Sequence, residues 1–251
     1  MGKAEWGADP EFFGPRHAHR EGRIVRVLAR RVPSPGLHLE CAAGVGSLSV
    51  TLARKGHRVV AADSSLRSLG ALGRRAEAAG VAVLPVLADV TRLPFTDRTF
   101  ASVTSAETLE HIDEDTAAAA ELARVLEPGG WLVGTVPADP GQWSAWDDWA
   151  EHRRRYTADG MRSLLAGAGL DPEVTVWGWP LLRLYDRLFL LRVNRRRLEG
   201  SGSVHDDTAL RTVAGLGRRR WLVGLVQTAF AADRLFDGMP WGIGLLFAAR
   251  R

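Results

Sequence analysis

The sequence predicts an open, doubly wound α/β sheet. Three observations predict it. Short apolar runs alternate with helical patterns from Leu37 onward, the first run empties into a loop of small residues, and single carboxylates stand at the ends of the next two runs. Short strands separated by helices imply a mainly parallel sheet covered on both faces. A length of 251 residues, 46% hydrophobic and 25% charged, suits one large domain or a core with an insert, and excludes disordered, collagen-like and disulfide-scaffold classes.

Taken in order, Gly22 to Arg31 reads as a helix with Ile24, Val25, Val27 and Leu28 on one side, ended by the Pro33-Ser34-Pro35-Gly36 turn. Strands follow at Leu37 to Cys41, Arg58 to Ala62, Ala82 to Leu87 and Ser102 to Ser105, with helices at Ser47 to Arg54, Leu66 to Ala79 and Ala117 to Val125. A fifth strand, Trp131 to Val136, comes after a turn at Pro128-Gly129-Gly130. Thr157 to Gly167 reads as a helix capped by Thr157, and Glu173 to Trp177 and Ile243 to Ala249 as two further strands. Between the last two strands, two helices are expected at Leu181 to Arg197 and Thr208 to Phe236, split by Gly200-Ser201-Gly202-Ser203. These divisions give a core over 1–177, a helical lid over 178–241 above the carboxyl edge of the sheet, and a closing core strand over 242–251. Open α/β sheets bind ligands at that edge.

The single cysteine, Cys41, allows no intrachain disulfide and points to a reducing, cytoplasmic setting. No apolar run reaches the ~20 residues of a spanning helix. Residues 1–151 carry 16 basic and 20 acidic groups and residues 152–251 carry 17 and 9, so the net charge of +4 arises in the C-terminal part. Arg outnumbers Lys so heavily that a composition bias explains much of this excess, which argues against nucleic acid as the partner. In the insert, Leu181, Leu182, Leu184, Tyr185, Leu188, Phe189 and Leu191 among Arg183, Arg187 and Arg192 make an amphipathic helix, expected to pack as a lid first, on a second subunit next, and on a membrane surface last.

Chemistry is expected at the strand tips. Glu40-Cys41-Ala42-Ala43-Gly44-Val45-Gly46-Ser47 lacks bulky side chains, so a ligand can approach the backbone and the following helix N-terminus. Asp63, 23 residues beyond Glu40, is placed to accept hydrogen bonds from both hydroxyls of a ribose, and Asp89 to flank an adenine. A nicotinamide fingerprint fits less well, because Ser49 stands where tight helix packing wants glycine or alanine.

On these residues the chain resembles the class I S-adenosylmethionine-dependent methyltransferases of the type 11 branch, over about Gly36 to Leu170. The resemblance implies a Rossmann-like sheet of seven strands, mostly parallel, with an antiparallel last strand. It places Glu40 near the methionine ammonium, Ala42, Gly44 and Gly46 in the cofactor loop, Asp63 with Ser64 at the ribose, and Asp89 with Val90 at the adenine. Ser105 joins them, and Leu126-Glu-Pro-Gly-Gly130 forms the turn before strand five. Ala42 departs from the family's glycine, and its methyl is expected to be absorbed by a small backbone shift.

Methyl transfer from a sulfonium needs alignment and desolvation first, and a base only when the acceptor carries a proton. Glu107, Glu110 and His111 have the i, i+3, i+4 spacing of one helical face and could hold magnesium, manganese or zinc. The Glu-x-x-Glu-His string is similar to that of ubiquinone-pathway and small-RNA O-methyltransferases, which implies His152 as a fourth ligand; alternatively His111 or His152 is a metal-free base. Trp143, Trp146 and Trp149, three residues apart, are expected to share one broad helical face, with Trp143, Trp146 and Tyr156 contacting a substrate. Arg153-Arg-Arg155 and Arg195-Arg-Arg197 are read as solvated helix ends, and Phe12, Phe13 and His17 as a segment closing over the cofactor. The expected activity is methylation of a small molecule of specialised metabolism, at oxygen before nitrogen or carbon. The alternatives are a scaffold redirected to cyclisation or elimination, and a non-catalytic partner subunit.

Overall fold

The structure, a computed structural model, describes residues 14–190 and 220–251. Phe12, Phe13, Arg195-Arg-Arg197, the 200–203 break and the stretches of both insert helices over 191–219 lie outside the described residues.

Helix α1 (Pro15–Arg31) opens on a proline, whose fixed φ suits a first helical turn. It begins seven residues before the expected start at Gly22. Residues 16–21 carry no apolar period because their polar side chains turn toward the strand tips. Strands β1 (Leu37–Cys41), β2 (Arg58–Asp63) and β3 (Val83–Leu87) alternate with α2 (Ser47–Arg54) and α3 (Leu66–Ala78). Then come β4 (Phe100–Ala106), α4 (Asp115–Arg124), β5 (Leu126–Pro137), α5 (Ala145–Trp149), α6 (Ala158–Gly167) and β6 (Asp171–Trp177). After α7 (Leu181–Tyr185) and α8 (Arg220–Phe230), β7 (Gly244–Arg250) closes the chain.

The seven strands lie in the order β3-β2-β1-β4-β5-β7-β6. The first five run parallel, and β7 enters antiparallel between β5 and β6. One face is sealed by Leu39, Val103, Leu122, Leu132 and Met161, beneath α4 and α6. The other is sealed by Ile24, Leu28, Leu48, Leu52, Val133 and Trp177, beneath α1, α2 and the described part of the insert. His38, fully buried inside β1, lies 2.8 Å from Ser102 Oγ and 2.9 Å from Thr104 Oγ1. Burial pushes it down to about 3, so it is neutral.

The Leu126-to-Gly130 turn is corrected. Leu126 already pairs with Phe100, Trp131 pairs with Ser102, and the residues between are a detour within β5. Arg251 secures it: Gly129 N–H donates to Arg251 O and Arg251 N–H to Gly130 O. Further along β5, Gly134 lies between Ser105 on β4 and Phe247 on β7, and a Cβ there would fall 1.9 Å from Ser105 O and 2.4 Å from Phe247 Cζ. Only a bare backbone fits.

Candidate active site

The loop after β1 is shaped by two glycines with different duties. Gly46 (φ +77°) has no room for a side chain, because a Cβ would meet Leu72 Cγ at 2.5 Å. Gly44 (φ +54°) faces open space and keeps the backbone accessible. Ala42 takes φ +54°, the conformation its glycine would adopt, with its methyl exposed. The expected backbone shift is therefore replaced by local left-handed strain, which costs a non-glycine residue about 1 kcal/mol. Ala42→Gly is expected to raise thermal stability by about 0.5–1 kcal/mol, roughly 2 °C. A fall in Tm on calorimetry would show instead that the methyl makes contacts worth more than the strain.

Glu40 is buried and accepts a hydrogen bond from the Ser49 hydroxyl. Burial, with Glu21 and Asp63 nearby, pushes its carboxyl up to about 8, so at neutral pH it is mostly protonated until a cation arrives. Cys41 beneath the loop is buried, and its thiol is pushed up to about 12, by burial first and then by Asp63 and Glu40. Asp63 accepts from Gly44 N–H and Ser65 N–H, each at 2.8 Å, so it braces the loop and keeps one further lone pair per oxygen for a ligand. Ser64 and Asp89 are exposed, and Val90 beside Asp89 is buried. Asp89 Oδ1 accepts from both the amide and the hydroxyl of Thr91, which holds its carboxyl below the ordinary range. His17 belongs to α1, lying 2.8 Å from Glu21 and 3.2 Å from Ser47 Oγ, which ties α1 to the N-terminus of α2.

At the end of β4 the expected helical face breaks up. Glu107 takes φ +53°, and only Leu109–His111 forms a 3-10 turn. Glu107 therefore leaves the proposed ligand set: it pairs with Arg20 (3.3 Å) and accepts from Thr135 Oγ1 (3.0 Å). Burial opposes its charge, but Arg20 and Arg16 hold it below its ordinary value. Among the described residues, Glu110, His111 and His152 do come together, with one ligand atom from each within 4.8 Å of the others. Glu110 is 0% exposed and neither carboxylate oxygen has a partner there. Burial, then Glu107, drives its carboxyl far above the usual range. The two imidazole rings lie 4.8 Å apart, nearly edge to face. His111 is lowered, by burial first and then by His152. Ser105 Oγ, at the same strand tip, is buried without a partner among the described residues.

The residue that sequence reasoning missed is Asp147. It is 0% exposed and lies 2.8 Å from His152 Nδ1. Its carboxylate also accepts from Arg155 Nε and Nη2 (2.7 and 2.9 Å) and from Ser144. Burial works against its charge, yet these donors hold its carboxyl well below the usual range. The one legible signal was Ser144-x-x-Asp147, a capping box at the start of α5. The backbone then carries His152 to its place, because Arg153 N–H donates to Glu110 O at 2.6 Å.

Other expectations are corrected. Trp143 lies outside α5 and donates its indole N–H to Asp148, so no helical face joins the three tryptophans; Trp146 and Trp149 pack on each other at 4.7 Å. Tyr156 is a buried core residue, its hydroxyl 3.1 Å from Leu109 O and 2.8 Å from Asp115, so it supports the turn after β4. Arg153, Arg154 and Arg155 lie in an irregular stretch between α5 and α6, ion-paired to Asp113, Asp115 and Asp147; Arg153 keeps the expected exposure, whereas Arg155 is largely buried.

Known proteins share the sequence pattern and the fold. A family model described as a methyltransferase domain matches residues 39–134, which span the loop, Asp63, Asp89 and Glu107 to His111 but leave out His152 and the insert. A demethylmenaquinone methyltransferase of Thermobifida fusca is 40% identical over 116 residues, 45% of this chain and 49% of that protein. Its counterpart in Mycobacterium sp. strain KMS is 32% identical over 162 residues, 58% and 68% of the respective chains. The chain spans about half the length of the first curated relatives it matches. The solved structure of the [4+2]-cyclase SpnF has a TM-score of 0.64 at 18% identity, covering 100% of this chain and 88% of that one. That likeness concerns the fold alone, so activity has to be argued from the sequence relatives and the side chains.

Proposed function

The chain belongs to the type 11 branch of the class I S-adenosylmethionine-dependent methyltransferases, and from that premise we propose that this protein transfers the methyl group to an oxygen of a small, partly apolar acceptor of specialised metabolism. The observation that carries the choice of oxygen is the pairing of His152 with buried Asp147 beside His111 and Glu110. S-adenosylmethionine supplies a methyl on a sulfonium that needs no further activation. The chain's own residues bind, orient and move one proton. Asp63 and Asp89 offer acceptors for a ribose and an adenine, and the open backbone at Gly44 admits the ligand. His152 donates Nδ1–H to Asp147, which leaves the Nε2 lone pair to take the proton of an acceptor hydroxyl as its oxygen gains the methyl. His111, kept neutral, lies alongside.

Glu40 makes cofactor binding depend on pH. A methionine ammonium beside it would favour the carboxylate, so the bound form holds fewer protons than the free form. Affinity is expected to rise with pH up to about 8, with release of close to one proton at neutral pH. Calorimetry in buffers of different ionisation enthalpy measures that release, and Glu40→Gln should abolish it. Proton release unchanged in the variant would assign it elsewhere.

One observation favours a second reading of the same cluster. Both Glu110 oxygens are buried without partners among the described residues, next to two imidazoles, and one carboxylate with two imidazoles suits zinc better than magnesium or manganese. The donor set fits a divalent ion: Glu110, His111 and His152 would hold it, Asp147 would orient His152, and the ion would make an acceptor hydroxyl more acidic. Full activity in chelator-stripped, metal-free protein sinks this reading and leaves the imidazole base. The parent proposal is tested by titrating the protein with S-adenosylmethionine and assaying labelled-methyl transfer to simple phenols, with demethylmenaquinone, for which the relatives are named, beside them; a quinone carries no hydroxyl, so transfer to it alone would overturn the choice of oxygen. Absence of cofactor binding overturns it; binding without transfer to any acceptor supports the redirected-scaffold alternative.

A further inference from the structure

Beside the site, on the same carboxyl edge of the sheet, the chain approaches β7 through residues 234–241, Arg-Leu-Phe-Asp-Gly-Met-Pro-Trp, and every one of them is exposed. Leu235 is 85% exposed and Trp241 52%, with Phe236 and Met239 between them. The neighbouring helix α7 is anchored from below: buried Asp233 accepts from the Leu181 and Leu182 amides at 2.9 and 2.8 Å. Leu182 is buried and Tyr185 packs on Phe230, which leaves Leu181, Leu184 and, one turn on, Leu188 facing outward. Trp179 and Trp241 sit 5.6 Å apart, and Arg183 spans them, bonded to the Trp241 carbonyl and lying over the Trp179 ring. Solvent normally meets large apolar side chains singly; a contiguous group of them marks a contact surface.

Its rim is cationic. Arg187 and Arg234 are exposed, as are Arg26 and Arg30 of α1. The Arg26 guanidinium is held below its ordinary value by partial burial and then by Arg234, Arg23 and Arg30, so these groups crowd one side of the patch. The nearest carboxylates are already engaged: Asp237 by Arg23, Glu173 by Arg31, and Asp233 by the α7 amides. A second copy docked face to face would bring the same arginines against each other. Apolar side chains flanked by tryptophan and arginine are the composition of a surface that enters a headgroup layer.

We propose that residues 234–241 and the outward face of α7 dock on an anionic lipid bilayer, which would hold the mouth of the site at the lipid surface. The inference stands whether or not the acceptor is correctly identified. The full chain should float with vesicles of phosphatidylcholine containing about one quarter phosphatidylglycerol and much less with phosphatidylcholine alone, each arginine contributing about fivefold. Arg234→Glu should weaken partitioning by at least tenfold, high salt should weaken it too, and Leu235→Glu should do so without changing the melting temperature. Failure to float with the anionic vesicles overturns the proposal, as does flotation that neither variant alters. A concentration-dependent dimer lost in Leu235→Glu, with no vesicle binding, would assign the surface to a second copy instead.

Discussion

Gly134→Ala is expected to leave little folded protein. The new methyl would fall 1.9 Å from the Ser105 carbonyl oxygen, and that atom belongs to the backbone of a central strand paired on both sides. A flexible side chain could swing away; β4 can yield only by breaking its ladders. Overpacking typically costs about 1–3 kcal/mol, but a clash with fixed backbone belongs in the tail above ~4 kcal/mol, a large share of the ~5–15 kcal/mol that holds a domain folded. Removing Phe247, the softer of the two obstacles, should not rescue it, because the carbonyl remains. Gly73→Ala supplies the control: in the interior of α3 nothing lies within 4 Å of its added carbon, and replacing a mid-helix glycine should stabilise by about 0.5–1 kcal/mol. Soluble yield and thermal melts of the two variants decide the matter, and a Gly134→Ala protein melting within a few degrees of the parent would show that the sheet can open there.

The second large effect is on turnover. His152→Ala is expected to lower kcat by about 10²- to 10⁴-fold, the usual contribution of a positioned base. Stability should change far less, because Asp147 keeps Arg155 and Ser144 as partners when the imidazole is gone. Asp147→Asn is a poorer probe, since it strands the Arg155 guanidinium beside a neutral group, and breaking a buried pair costs about 3–5 kcal/mol. Stopped-flow or discontinuous assay of labelled-methyl transfer at saturating cofactor measures the loss. Activity within a few-fold of the parent would remove His152 as the base and the three-ligand metal reading together, leaving alignment and His111 as the sources of rate.

Much of the frame could be read from residue order, because strand and helix periods respond to burial alone. The apolar runs at Leu37, Arg58 and Trp131 found their places, and the antiparallel direction of the last strand followed from the resemblance, whereas its position between β5 and β6 is seen only in the structure. Reading failed where polar side chains serve the site. Arg16 and Arg20 lack an apolar period, so the first two turns of α1 were invisible, yet both guanidiniums bear on Glu107. Even spacing of glutamates suggested a helical face, but the left-handed Glu107 turns its carboxylate the other way. The histidine pair was anticipated, whereas Asp147, which orients one of its members, was not: one of two adjacent aspartates in a tryptophan-rich stretch reads only as a capping residue until folding also brings Arg155 and His152 onto it. Tyr156 also braces the turn after β4 through Asp115, a structural duty that its place near the Glu-x-x-Glu-His string did not reveal.

The position of Cys41 has a practical consequence. The protein owns a single thiol, buried under the loop after β1 and reluctant to ionise, so a thiol reagent can reach it only in the instants when that loop lifts off the sheet. Its alkylation rate is therefore a built-in clock for breathing at the tip of β1, needing no engineered label, and any compound that clamps the loop should slow it.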